Sequence, residues 1–408
     1  MSTARVDESS RPLRILQITS TAVGGSWFHD QVRGLAELGN EVCAVLPREG
    51  PLADRLRGVP GVRVEIIPFG LSRRFRQLPG LMAAQWRLMM FVRAYKPDVI
   101  HSHLIIAMLA ARVASVACRP ALVVSQVPGL VHLRIAPFRI LDRLTLRTDD
   151  LVLGSCRAIA RRYQAMGARS VAVSYYGCDV HRFDPAASPD AFRREFGLTD
   201  DTPAVGMVAY MYPSKLRDFR QVGVKGHEVF IDSVPLILRQ HPGAVFFVVG
   251  DELVGDGEYR RELERRAARL GVADRIRFTG SRSDISSVMA GLDVLVNPSM
   301  DESACYTVVE ALLMRKGVVA TDVGGLPDTV QHGRTGLLIP PADPSALAES
   351  VSKLLADPAA RLHMARQGRD LALRQFDIAG TVGQVNGLYH QALATRGRRR
   401  ALRGGSPE

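Results

Sequence analysis

Short apolar runs rich in Val, Ile and Leu recur along the chain, separated by stretches of helical length. In the first half they read "LRILQIT" (13–19), "EVCAVLP" (41–47), "VRVEIIPF" (62–69), "DVIHSH" (98–103), "ALVVSQV" (121–127), "DLVLGS" (150–155) and "SVAVSYYG" (170–177). In the second half "AVGMVAY", "AVFFVVGD", "RIRFTGS", "DVLVNPS", "GVVATD" and "GLLIPP" repeat the theme. Between them lie helical patterns such as "YRRELERRAARLG" (259–271). Runs that are continuous rather than alternating fit strands buried on both faces, as in parallel sheets covered by helices. So many runs exceed one comfortable sheet. The pattern therefore predicts an α/β chain of two Rossmann-like domains facing across a cleft. Pro, Asp, Ser and Gly cluster in "DPAASPD" and "GLTDDTP", which sets the boundary near 184–202. The expected division is 13–184, then 200–376, then a helix over 377–395 packing back on the first domain. A disordered basic tail is expected over 396–408.

Composition narrows the class. Of 408 residues, 47% are apolar and 23% charged, which suits a globular protein with two cores. The N-terminus "MSTARVDESSRP" lacks the apolar stretch of a signal peptide, and "LIIAMLAA" (104–111) is too short to span a bilayer. The five cysteines (43, 118, 156, 178 and 305) share no ligand-like spacing, so a cytoplasmic, reduced protein without zinc is expected. The net charge of +12 is uneven: residues 71–147 hold twelve Lys/Arg against two Asp/Glu. Basic and bulky apolar residues mix there, and Arg139, Arg143 and Arg147 recur at helical spacing. A helix half-embedded in an anionic membrane has this composition, and so does a surface helix packed on a sheet. No nucleic-acid module is present.

Ligands of open α/β sheets sit beyond the carboxyl ends of the strands, so strand-to-helix loops hold the informative residues. "DESACYTVVEAL" (301–312) joins a strand to a helix and sets Glu302 and Glu310 eight positions apart. Eight residues of helix span about 12 Å, whereas glycosidase carboxylate pairs stand roughly 5–9.5 Å apart. The spacing better fits one elongated ligand held at both ends, with an anion received between them by N–H groups near Tyr306, Thr307 and Val308. A nucleotide sugar has that layout. The plainer alternative makes Glu302 a helix cap and Glu310 a solvated helix residue. In "TSTAVGGSWFHD", Gly24 and Gly25 allow close backbone approach to a phosphate, or simply serve a tight turn. His101 and His103 share a strand face without a third metal ligand, so lining of an acceptor site is the preferred reading and no metal is expected.

The segment from "NPSMDESACYTVVEALLMRKG" through "DVGGLPDTVQHGRTGLLIPP" resembles the signature region of the retaining GT-B glycosyltransferases of family 4. The resemblance extends through "VGMVAYMYP", "VKGHEVF", "FFVVGD", "FTGSRSDISSVMAGLDVLVNPS", "SYYGCDVHRFDP" and "KPDVIHSHLIIAMLAARVA", most of residues 13–390. It implies transfer of a sugar from a nucleoside-diphosphate donor to an acceptor hydroxyl with retention, using neither metal nor cofactor. Glu302 would lie beside the donor sugar and Glu310 would bind ribose hydroxyls. Lys225 would neutralise the leaving diphosphate. Arg282, Ser303, Ala304, Cys305 and the helix start Tyr306–Val308 would complete the donor side, with Gly24 and Gly25 facing it from the other domain.

Three departures matter. Ser303, Ala304 and Cys305 replace the family's usual Gly-Phe-Gly, and small side chains there still admit a ligand. The arginine that normally partners the lysine is replaced by Tyr210, followed by an insertion whose Lys215, Arg217 or Arg220 could supply the charge. The usual cleft histidine is replaced by Pro128, with His132 nearby. The acceptor is left open among glycan, lipid-linked sugar and small molecule. The basic surface tilts slightly toward a lipid-phosphate acceptor and leaves peripheral contact with the inner face of an anionic membrane as an open alternative to a cytoplasmic location. Two rivals stand: an epimerase of the same architecture and a non-catalytic nucleotide-sugar-binding protein.

Overall fold

The computed structural model describes residues 11–69, 78–118, 122–213, 222–252, 256–303 and 305–404. It divides into two units, Met1–Gly177 with Ile378–Glu408, and Cys178–Asp377. The division falls at Gly177, N-terminal to the expected linker at 184–202. The loop residues that resemble a linker already belong to unit 2, where Arg193 donates to the carbonyls of Thr199, Thr202 and Gly291.

Unit 1 contains strands β1 (Arg14–Thr19), β2 (Glu41–Leu46), β3 (Val62–Ile66), β4 (Val99–His103), β5 (Leu122–Val127), β6 (Leu151–Gly154) and β7 (Val171–Val173). All pair in parallel in the order β3-β2-β1-β4-β5-β6-β7. Unit 2 contains β8 (Ala204–Val208), β9 (Val245–Val249), β10 (Ile276–Gly280), β11 (Val294–Asn297), β12 (Gly317–Thr321) and β13 (Leu337–Ile339), parallel in the order β10-β9-β8-β11-β12-β13. Both sheets are doubly wound. The strand order reverses between β1 and β4 in unit 1 and between β8 and β11 in unit 2, which makes the carboxyl ends of those pairs the places for a ligand.

Each sheet is sandwiched by helices, as the continuous apolar runs require. In unit 1, Ile15, Val99 and Val124 face one core and Leu16, Ile18 and Ile100 the other. The second core is closed by helices Leu78–Tyr95 and Ile105–Cys118 through Leu88, Val92, Ala107 and Ala111. The first is closed by helix Ser26–Glu37 and by helix Ile378–Gly404, which supplies Val382, Val385 and Tyr389. This last helix returns to unit 1 after the whole of unit 2. Gly34 admits it: a Cβ there would lie 2.9 Å from Val382 Cγ2. The helix continues to Gly404, beyond the expected end at 395, so residues 396–404 are helical where a disordered tail was expected. Arg396 explains part of this, donating to Asp150 Oδ2 at 2.6 Å. The two chain crossings lie side by side, with Cys178 N donating to Phe376 O at 2.7 Å. No helix among the described residues is long and apolar enough to cross a membrane.

Candidate active site

Lys225 follows β8 and Glu302 follows β11, so the two flank the switch point of unit 2. Their loops are laced together. Met300 N donates to Val224 O at 2.8 Å, and Gly226, at φ 74°, caps helix His227–Leu238. A Cβ on Gly226 would stand 2.0 Å from Pro298 O, so glycine is what lets the two loops meet. The result is a Lys225 Nζ–Glu302 Oε2 ion pair of 2.6 Å, with Glu302 almost fully buried. Ser299 Oγ donates to the same oxygen at 3.2 Å, and its own carbonyl accepts from Thr321 Oγ1 at 2.6 Å. From the far side, Gly325 N donates to Glu302 O at 3.1 Å. Neighbouring Gly324, at φ 55°, approaches so closely that a Cβ would lie 1.7 Å from that oxygen. Three strand-to-helix loops thus hold one residue, two of them at its carboxylate and the third at its main-chain carbonyl.

The electrostatics follow from this packing. Burial works against the Lys225 charge, but Glu302 opposes it, and the net effect raises the lysine above its ordinary value. Cys305, at the N-cap of helix Tyr306–Leu313, is pushed up to about 12 by burial, with Glu302 adding to it, and so stays a thiol. Its Sγ accepts from Asn297 Nδ2 at 2.9 Å. Thr307 Oγ1 lies 3.3 Å from the same sulfur. The first N–H groups of the helix, from Tyr306 to Val308, have no acceptor within it by geometry. Glu310 lies one turn in. Burial raises its carboxyl to about 7, and Arg182 pulls weakly the other way.

Other expected residues fall elsewhere. Arg282 is engaged: its guanidinium forks onto Glu195 at 2.7 and 2.8 Å and onto Asp284 at 2.9 and 2.7 Å, over the rings of Phe192 and Phe196. These two carboxylates make it a joint between two elements of unit 2. Tyr210 is exposed, its ring 6.3 Å from that of Tyr212. Lys215, Arg217, Arg220 and Ala304 lie outside the described residues. Ser303 sits beside Glu302, its N–H 3.3 Å from Glu302 Oε1.

In unit 1, Gly24 and Gly25 both have positive φ after β1, and Gly25 caps helix Ser26–Glu37. Space beside Gly24 is open, and its carbonyl accepts from Arg55. His101 and His103 do not line an acceptor site. Both are fully buried on the face of β4 that the C-terminal helix covers. His101 Nδ1 lies 2.6 Å from the Tyr389 hydroxyl, and His103 bridges Gln17 Oε1 at 2.8 Å and the Tyr176 hydroxyl at 3.1 Å. Burial lowers His101 to about 3 and holds His103 well below its ordinary value, with His101 assisting, so both rings are neutral. His132 is likewise taken up, 3.2 Å from Asp142 and 2.9 Å from the Tyr163 hydroxyl. Sequence reasoning missed Ser299, Thr321 and Gly324, which hold Glu302; "NPS" and "DVGG", each just past a strand, carried the signal.

This geometry, two doubly wound parallel sheets with an acid and a base at the switch point of the second, is that of the GT-B class. Residues 217–357 match the family described as "Glycosyl transferases group 1", and residues 25–198 match the "Glycosyl transferase 4-like domain". The GDP-mannose-dependent alpha-mannosyltransferase of Mycobacterium tuberculosis is 30% identical over 382 residues, 90% of this chain and 91% of that protein. The chain therefore belongs to the group 1 glycosyltransferases, of the family 4 type. Alpha-D-kanosaminyltransferase of Streptomyces kanamyceticus is 28% identical over 57% of this chain, and the matched stretch spans 56% of that relative's length. Among solved structures, Anabaena HepE in complex with UDP superposes with a TM-score of 0.78 at 22% identity, over 93% of this chain and 100% of that one. A glycosyltransferase from Rickettsia africae superposes with a TM-score of 0.79 at 17% identity, over 94% and 99%. At such identities the likeness is one of fold.

Proposed function

We propose that the chain transfers a sugar from a nucleoside-diphosphate donor to an acceptor hydroxyl, with retention at the anomeric carbon and without a metal. The observation that carries this is the half-buried Lys225–Glu302 pair at the switch point of unit 2, with Glu310 one turn into the following helix. The relatives lend support, one being a GDP-mannose-dependent transferase and one a structure holding UDP. Bound donor would lie along the start of helix Tyr306–Leu313, with ribose hydroxyls on the Glu310 carboxylate and the sugar beside Glu302. Lys225, already held in place, would receive the negative charge that grows on the diphosphate as the glycosidic bond breaks. Cys305, a buried thiol, is not suited to act as a covalent nucleophile. In the front-face substitution that membership of this family implies, the glycosidic bond to the diphosphate breaks, the departing phosphate oxygen accepts the acceptor's proton, and the acceptor oxygen bonds to the anomeric carbon. The acceptor belongs to polysaccharide, glycolipid or metabolite synthesis. A peripheral contact with an anionic membrane is part of the proposal, supported by the basic, apolar helices of unit 1.

A panel of nucleotide sugars with cell-extract acceptors tests the proposal. Lys225→Ala lowers turnover by about 10²–10³-fold, chelators leave it unchanged, and the product keeps the donor's anomeric configuration. An inverted product ends the retaining assignment. Tyr210, where the family has an arginine, favours one second reading, a nucleotide-sugar sensor; binding without turnover by the intact chain would select it. If Lys215, Arg217 or Arg220 replaces that arginine, neutralising the right one slows transfer as Lys225→Ala does.

A further inference from the structure

Helix Ala136–Thr145 is laid on unit 1 the wrong way round for a globular protein. Its buried residue is Asp142, while Ile140, Leu141 and Leu144 face outward, Leu144 at 74% exposure. The inward side is held by charge instead of by an apolar stripe. Arg112, itself buried, donates to Asp142 Oδ1 at 2.7 Å and to Asp149 Oδ2 at 2.7 Å, and Tyr163 donates to Asp142 Oδ2 at 2.6 Å. An amphipathic helix ordinarily buries its apolar face; here that face is left for something else.

Arg112 lies on helix Ile105–Cys118, whose outer side shows Val113 and Val116. That helix in turn neighbours Leu78–Tyr95, to which it is tied by Gln85 Nε2 donating to Ala110 O at 3.1 Å. Along Leu78–Tyr95, Met82 (72% exposed), Trp86 (62%) and Met90 recur at four-residue spacing, one stripe of the helix. Scattered exposed apolar residues are ordinary, but stripes on three adjoining helices make a patch that asks for a partner. The charge around it has one sign. Arg87, Arg93 and Lys96 are exposed on or just after one helix, and Arg134, Arg139, Arg143 and Arg147 are exposed on and around another. Asp142 and Asp149, the acids within 131–149, are both buried.

We infer that these three helices dock unit 1 on an anionic lipid bilayer, with Leu144, Ile140, Trp86 and Met82 entering the headgroup boundary and the arginines meeting lipid phosphates. Mixed bulky apolar and basic side chains on a helix lying in the surface plane bind in this way. Charge disfavours a second copy of the chain, which would bring an equally positive face against this one. The inference rests on the peripheral contact included in the proposed function and fixes where it is made.

Co-sedimentation with phosphatidylglycerol-containing and with pure phosphatidylcholine vesicles tests it on the intact protein. The expected result is binding to the anionic vesicles at low salt, release at high salt, and weak binding to neutral ones. Arg139→Glu and Arg143→Glu should each lower the partition coefficient about fivefold or more. Leu144→Glu should lower it too while leaving transfer to a water-soluble acceptor intact. A vesicle-induced blue shift of tryptophan fluorescence should vanish in Trp86→Phe, leaving Trp27 as the silent control. Equal partition onto neutral vesicles, or unchanged binding by Leu144→Glu, overturns the inference. So does a solution dimer abolished by Leu144→Glu without vesicle binding. Sugar transfer with no vesicle binding removes the docking face and leaves the transferase standing; vesicle binding by a chain that transfers no sugar does the reverse.

Discussion

Glu302 and Glu310 are eight positions apart yet live in different surroundings, one clamped by Lys225 and the other raised to about 7 by burial. The second fact has a pH consequence. A carboxyl whose native pKa exceeds its unfolded value holds its proton longer when folded, so stability falls as pH rises from about 4.5 to about 7. The loss is at most roughly 3 kcal/mol. Glu310→Gln should therefore match the parent's Tm near pH 4 and exceed it near pH 8 in calorimetric scans; identical shifts at both would show that Glu310 does not titrate so. The same variant should lose donor affinity, which in the parent strengthens as the carboxylate forms. At this level the spacing made legible that Glu302 sits in a strand-to-helix loop and Glu310 about a turn inside the helix that follows. The partners of Arg282 and of the histidines were not legible, because a single chain does not reveal contacts distant in sequence. Glu195 lies 87 residues from Arg282, and Tyr389 lies 288 from His101.

Loops and helices succeed or fail by what they are fastened to. The loop carrying Glu302 depends on Gly324, where an added Cβ meets the Glu302 carbonyl and φ is already unfavourable for other residues. Gly324→Ala should cost about 1–3 kcal/mol and lower turnover along with stability, read by denaturant unfolding beside a kinetic assay. Helix Ala136–Thr145 depends on its inward carboxylate. Asp142→Ala leaves Arg112 buried with only part of its charge met, and should lower unfolding free energy by about 3 kcal/mol. An unaltered denaturation midpoint would show the network to be dispensable. The apolar runs foretold each of the thirteen described strands to within a few residues, because a strand buried on both faces leaves a local mark. The inverted helix left a different one: its Arg-Ile-Leu-Asp-Arg-Leu pattern is equally compatible with either face turned inward, and Arg112, thirty residues earlier, decides.

The chain as a whole is one Rossmann-like unit interrupted by another, and the interruption begins and ends at neighbouring points, Cys178 and Asp377. A fragment spanning 178–377 should accordingly fold alone, with a single cooperative transition and the Lys225–Glu302 site intact. A chain cut after Asp377 should leave unit 1 unstable, since Val382, Val385 and Tyr389 no longer cover its core. Circular dichroism of the two fragments separates these outcomes. The apolar pattern revealed two sheets and a last helix returning to the first of them, but not the seat it takes: Gly34 and Asn40, which receive it, are ordinary helix and loop residues until Val382 and Asn386 arrive. The return of that helix also orders events during synthesis. A ribosome delivers all of the inserted unit before the residues that seal the first one, so the later-made half completes its core while the earlier-made half still shows bare apolar surface. Newly made chains should depend on chaperones until residue 389 has emerged, and pausing translation just before that point should make them most prone to aggregate.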